Sequence, residues 1–304
     1  MIPLQNWNLP INIPLCVAGL LSNLLCIAVL TRRNMRSSFN TLLLCLALTD
    51  FLGLGFYLAA ILSRDAHPNC CETLSGFAMI ITVEMICTFL INNLNMWLTL
   101  SITMIRYIAI SQMSFRFSIK QARYVVLSVL CISLVHKTPS FALSVKESID
   151  DRDTTQDRSI LDEASLNPAS YINYILDCVA IVLLGIFSSL IISVLYKGTQ
   201  RHKKITRADA RGSVWDQATR TTATILGITV STTLCKIVVL FNTICYLHFP
   251  HDRGDYTGPC GQMDYAAMIK KSIQIANSGI NIAFFVVSKE FRNTLKQVIL
   301  CRNI

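Results

Sequence analysis

Seven stretches of this chain are apolar over about the 20 residues that a helix needs to cross a hydrocarbon layer. They run over 11–30, 42–62, 77–110, 124–143, 174–196, 221–247 and 266–287, the third continuing past its most apolar part at 101. In lipid a backbone must satisfy its own hydrogen bonds, so each stretch is expected to be a helix. Composition agrees: 53% of the side chains are hydrophobic and 15% charged, where a soluble domain holds about a quarter charged. The expectation is an all-α membrane protein, one domain over 1–304.

Seven spans put the two ends of the chain on opposite sides. The segments 31–38, 111–123, 197–220 and the tail from 288 carry about seventeen Lys or Arg, against about five in the alternate set, which places them on the cytoplasmic side. The N-terminus is therefore expected outside, in a multi-pass protein of the plasma membrane. MIPLQNWNLPINIP has neither a basic start nor a small-residue cleavage site, so no signal peptide is read and the first helix inserts itself. The net charge of +9 resides in RRNMR, KGTQRHKKITRADAR and SKEFRNTLKQ, beside the bilayer; it calls for anionic lipid and not for nucleic acid. Residues 144–168 are acidic, with Asp150, Asp151, Asp153 and Asp157 among others. They form either a solvated loop or a face for cationic partners.

Most of the 12 cysteines lie in apolar stretches, where a thiol packs as a small hydrophobe. Cys70, Cys71 and Cys260 fall on the oxidising side, and a bridge from either of the first two to Cys260 would tie two outer loops together. Connectivity stays open. Cys301 ends the segment SKEFRNTLKQVILC, where palmitoylation would anchor it to the inner leaflet.

Polar side chains in hydrocarbon are costly and mark working positions. They are Asn23, Asp50, Glu84, Asn92, Asn95, Thr99 and Arg106, then Asp177, Lys236, Lys270, Lys271, Asn277 and Asn281. Positions 92, 95, 99, 102 and 106 share one helical stripe, which is expected to face protein. Asp50 lies roughly 15 Å from the inner end of its helix at 1.5 Å per residue. There a carboxylate pairs, binds a cation or takes up a proton. Asn23, Asn95 and Asn281 lie at similar depth, and the cluster is either functional or a hydrogen-bonded packing knot. Lys236 is too deep for easy snorkelling and needs a partner: Glu84, Asp177 or an acidic ligand group. Lys271, with Lys270, lines the same outward cavity or reaches headgroups. Together Glu84, Asp177, Lys236 and Lys271 are the ligand-pocket candidates.

GLLSNLL with Asn23, RRNMRSSFNTLLLCLALTD with Asp50, SITMIRYIAI with Arg106 and NSGINIAFFVVSKEFR resemble the rhodopsin-like G-protein-coupled receptors over nearly the whole chain. RNMRSSFN, VHKTPSF and NSGIN most resemble invertebrate FMRFamide-type neuropeptide receptors. The resemblance implies a seven-transmembrane helix bundle with a short amphipathic eighth helix over 288–301. It implies an extracellular ligand, here a neuropeptide, and a heterotrimeric G protein met by Arg106 and Tyr107. It also implies a sodium-sensitive core of Asp50, Asn23, Asn95 and Asn281, with no catalytic site and no metal cofactor otherwise.

The departures matter as much. The family's acid before the arginine is Ile105; the aromatic and proline of the sixth helix are replaced by the C-K-I-V of Cys235 to Val238; the seventh-helix proline and tyrosine become Ile282 and Phe285. The segment 144–170 holds no cysteine for the family's bridge to the third helix. Without the acid, raised basal signalling is expected unless another acid substitutes. Three further readings stand beside the peptide receptor: a chemosensory receptor for a small molecule, a transporter or channel lined by Asp50, Glu84 and Lys236, and a decoy that no longer signals. An enzyme is disfavoured, since no phosphate loop, CxxC pair or HExxH occurs. A retinal pigment is disfavoured too, because the lysine position holds Ile275.

Overall fold

The computed structural model describes residues 5–66, 86, 89, 93–112, 117–150, 168–205, 212–248, 272–279 and 289–300. Among these the secondary structure is entirely helical. The elements are α1 (Gln5–Leu30), a 3-10 turn (Arg33–Met35), α2 (Ser38–Ala66), α3 (Asn95–Ser111), α4 (Ile119–Asp150), α5 (Pro168–Ile205) and α6 (Gly212–His248). A helical segment over 272–279, α7, and α8 (Lys289–Ile299) follow. Five of them are long and apolar enough to cross a membrane, through Pro10–Leu30, Ser38–Leu62, Ile119–His136, Ile175–Gly198 and Thr222–Phe241.

Side-chain distribution confirms what surrounds these helices. Tyr124, Leu127 and Val135 on α4, and Ile175, Val182 and Tyr196 on α5, are exposed, Val135 by 74%. Polar groups such as Asn23, Asp50, Asn95 and Thr103 are buried instead. A soluble protein does not expose such continuous apolar faces; lipid-facing helices do.

Local chemistry sets several of the ends. Ser37 caps α2, its Oγ accepting from the Asn40 amide at 3.1 Å and its carbonyl from the Thr41 amide at 2.9 Å. Ser118 and Gln121 form a reciprocal box at the start of α4: Gln121 Oε1 accepts from the Ser118 amide at 2.8 Å, and Ser118 Oγ from the Gln121 amide at 3.3 Å. Pro168 opens α5, where its missing N–H has no helical partner to lose. Pro10 and Pro14 lie inside α1, a placement that neighbouring helices make tolerable in a membrane.

The third helix is the hub, packing against α2, α4, α5 and α6. Its inner half joins the main apolar cluster, in which Leu98, Ile102 and Ile105 meet Leu43 and Leu46 of α2 and Ile225 and Ile228 of α6. The eighth helix closes this cluster from below through buried Phe291 and the flanking Leu295 and Val298, against α1. Asn34 donates to Thr294 Oγ1 at 3.0 Å there. Between α3 and α4, Trp97 Nε1 donates to His136 Nδ1 at 3.3 Å with the rings edge to face. Interhelical hydrogen bonds in membranes contribute about 0.6 kcal/mol on average, because the unfolded helices find other partners. Trp97→Phe is therefore expected to lower the melting temperature of the purified protein only slightly. A large drop would show that this pair holds the interface by more than one bond.

Candidate functional site

Two polar systems run through the bundle, one beside α6 and one beside α1. The first is built on α3. Asn95, Thr99, Ile102 and Arg106 of the stripe are buried, and Asn92 lies outside the described residues. At the start of α3 Asn95 Nδ2 donates to Asp50 Oδ1 at 2.6 Å, while Asn95 Oδ1 accepts from Thr99 Oγ1 at 3.3 Å. One turn further along α3, Thr103 Oγ1 reaches the Thr99 carbonyl at 2.7 Å and Thr229 Oγ1 of α6 at 2.8 Å. Thr229 Oγ1 also lies 2.8 Å from the Ile225 carbonyl. Each hydroxyl has one proton, so the Thr103–Thr229 bond draws one of them from its own backbone acceptor.

Arg106 ends the ladder. Its Nε donates to Thr222 Oγ1 of α6 at 2.9 Å, and its guanidinium carbon lies 5.2 Å from the centre of the Phe39 ring of α2. Phe39 in turn packs on Phe117, ring centres 5.7 Å apart, and Ser38 Oγ donates to the Phe117 carbonyl at 2.7 Å. Ile105, the departure noted before Arg106, is 5% exposed and belongs to the same apolar cluster as Phe39 and Phe117. The arginine is thus held by a hydroxyl and an aromatic face, and its neighbour is an apolar anchor for the connection to α4. A guanidinium over a ring gains about 0.5–2 kcal/mol depending on desolvation. Neither Thr222 nor Phe39 was singled out in the sequence: threonine is common in membrane helices. The signal that was there is the seven-residue spacing of Thr222 and Thr229, which places both on one face of α6.

The second system joins α1 to α7. Asn23 Nδ2 donates to the carbonyls of Gly19 at 2.9 Å and Ser278 at 2.8 Å. Ser22 Oγ lies 2.9 Å from the carbonyls of both Gly19 and Gly279. The backbones approach so closely that a Cβ on Gly279 would stand 3.1 Å from the Gly19 Cα. Nearer the start of α1, Ser272 Oγ donates to buried Asn12 at 2.8 Å, and Ser231 of α6 donates to Asn277 at 2.9 Å.

Of the expected core, the structure therefore brings Asn95 to Asp50, whereas Asn23 gives its amide to α1 and α7 carbonyls. Asn281 lies outside the described residues. Tyr107 turns to α5, its ring 5.9 Å from that of Phe187. Lys236 and Asp177 are half-buried on α6 and α5. Glu84, Lys271, Cys70, Cys71, Cys260 and Cys301 also fall outside the described residues.

Comparison with known proteins adds one match. The sequence family described as serpentine type 7TM GPCR chemoreceptor Srw matches residues 10–302. No curated protein sequence matches the chain. The match supports a G-protein-coupled receptor while leaving the FMRFamide-type assignment without support. With nearly its whole length matched, the chain belongs to the Srw family of serpentine G-protein-coupled chemoreceptors.

Proposed function

We propose that this protein is a plasma-membrane chemoreceptor that binds a small extracellular molecule in the outer half of a seven-helix bundle and signals to a heterotrimeric G protein inside. In this reading α3 and α7 complete the bundle, the N-terminus is outside, and Asp177, Lys236, Glu84 and Lys271 face the ligand. The α8 segment lies on the inner leaflet, with palmitoylation at Cys301. The family's description as chemoreceptors favours a small molecule over the neuropeptide expected from sequence.

The observation that carries the reading is the hold on Arg106. An arginine at the inner end of α3, buried against α2 and bonded to Thr222 of α6, is a charge withheld from the cytoplasmic face. A ligand that favours an arrangement with α6 displaced would break the Thr222 and Thr229 bonds together and present the guanidinium to a partner. Ile105 then no longer implies an unrestrained receptor, because Thr222 and Phe39 supply the restraint.

Thr222→Val keeps the shape and removes the acceptor. Basal nucleotide exchange by the G protein, measured in membranes without ligand, is expected to rise severalfold, within the roughly 5- to 150-fold span of allosteric couplings. Basal exchange equal to the wild type would remove the latch and with it the main support for the coupling role.

A further inference from the structure

Asp50 is fully buried on α2, with Asn95 Nδ2 on its Oδ1. A carboxylate at that depth requires a cation or a proton. The resemblance implied sodium, a hard ion that is bound by several oxygens. The described residues fit it poorly. Asn95 turns its nitrogen to Asp50, and its oxygen accepts from Thr99, so its amide offers a donor where an ion would need a ligand.

The register of α6 against α3 brings a different cation to this depth. The Thr103–Thr229 bond fixes the two helices side by side. They run in opposite directions in the bundle, so moving seven residues outward reaches Met96 on α3 and Lys236 on α6. Seven residues are two turns, about 10.5 Å, and return to the same helical face. Met96 and Thr232 on these faces are buried, at 0% and 2% exposure. Lys236 therefore leaves α6 on its inward face, half-buried, at the depth of Asn95, the residue bonded to Asp50. Its ammonium sits on a flexible four-carbon stem with three donors. Low dielectric draws such a charge to a carboxylate at the same depth, since either one unpaired is expensive.

We propose that Lys236 is the built-in counter-ion of Asp50, a tethered cation in the place that a sodium ion would take. The bundle is then neutralised from within, and its resting state is indifferent to sodium. Lys236 is a positioning residue in this role, tying α6 to the α2–α3 pair. The inference rests on the register and charge of the chain and stands apart from the identity of any ligand.

The test uses the purified full-length protein in lipid nanodiscs, melted in sodium chloride and in N-methyl-D-glucamine chloride. The wild type is expected to melt at one temperature in both. Lys236→Met is expected to melt about 5 °C lower or more and, once the Asn95 amide turns its oxygen to the vacated place, to regain part of that loss in sodium alone. Asp50→Asn/Lys236→Met removes both charges; it is expected to recover most of the loss and to ignore sodium. Sodium stabilisation of the wild type would overturn the proposal. So would a Lys236→Met protein that melts like the wild type, or a double variant whose losses simply add. Should Lys236→Met fail to reach the membrane, surface expression decides: recovery in the double variant supports the pairing, and failure of both overturns it.

Discussion

Arg106→Ala is expected to reduce ligand-stimulated nucleotide exchange to background while surface expression stays near the wild-type level. The fold tolerates the change for a physical reason. Arg106 lies in the last two turns of α3, next to the apolar layer of Leu98, Ile102 and Ile105 that binds the helix to α2 and α6. The Thr222 hydroxyl it leaves can turn back to a carbonyl of its own helix, as threonines in membrane helices do. What is lost is the cation itself, the group that displacement of α6 would uncover. Arg106→Lys separates charge from shape: an ammonium lacks the planar fork and stacks poorly on Phe39. Partial signalling in the lysine variant beside none in alanine is the expected pattern. Full signalling by Arg106→Ala, measured as exchange per receptor at the surface, would dismiss the arginine as the coupling group.

The second large effect is expected at Gly279. Its virtual Cβ meets backbone, the Gly19 Cα at 3.1 Å, which cannot rotate away as a side-chain tip would. Leucine there drives α1 from α7 and breaks the reach of Ser22 and Asn23 to the Gly279 and Ser278 carbonyls. Overpacking costs about 1–3 kcal/mol, with roughly 0.6 kcal/mol for each interhelical bond lost. That is enough to deplete the mature protein at the surface. Gly185→Leu is the control, since nothing lies within 4 Å of a Cβ at that position. It is expected to express normally. Equal melting temperatures for the two variants would mean that the close approach of α1 and α7 is not needed.

Five of the seven expected membrane helices were legible because length and apolarity are local properties, readable without knowing any neighbour. Their ends were less so. The fifth helix starts at Pro168 and continues to Ile205, and the fourth runs to Asp150, whereas the apolar windows stop at 174–196 and 143. Helix continues through polar sequence wherever caps and propensity allow, so hydropathy marks the lipid boundary and not the helix end. The site shows the same division. Asp50, Asn95 and Arg106 stood out as polar groups in apolar surroundings. Thr222, Thr229 and Phe39 did not, because their roles depend on the register between helices far apart in sequence. Asn23 was read as a member of the cluster around Asp50, but its amide donates to backbone oxygens, which no side-chain pattern announces. The peptide reading rested on motifs shared by the wider family and finds no support in the match, which fits the chemosensory alternative better.

Asn23 reaches the carbonyl of Ser278, the oxygen that a proline four positions later would release from its helical bond. This chain has Ile282 at that later position. The oxygen that would mark a joint in α7 is engaged by α1, and the glycine contact beside it leaves no slack for sliding. The α1–α7 seam is therefore a rivet. Whatever movement carries a signal across the bundle must shear elsewhere, along the threonine rungs that α3 shares with α6, where hydroxyls can trade one acceptor for another.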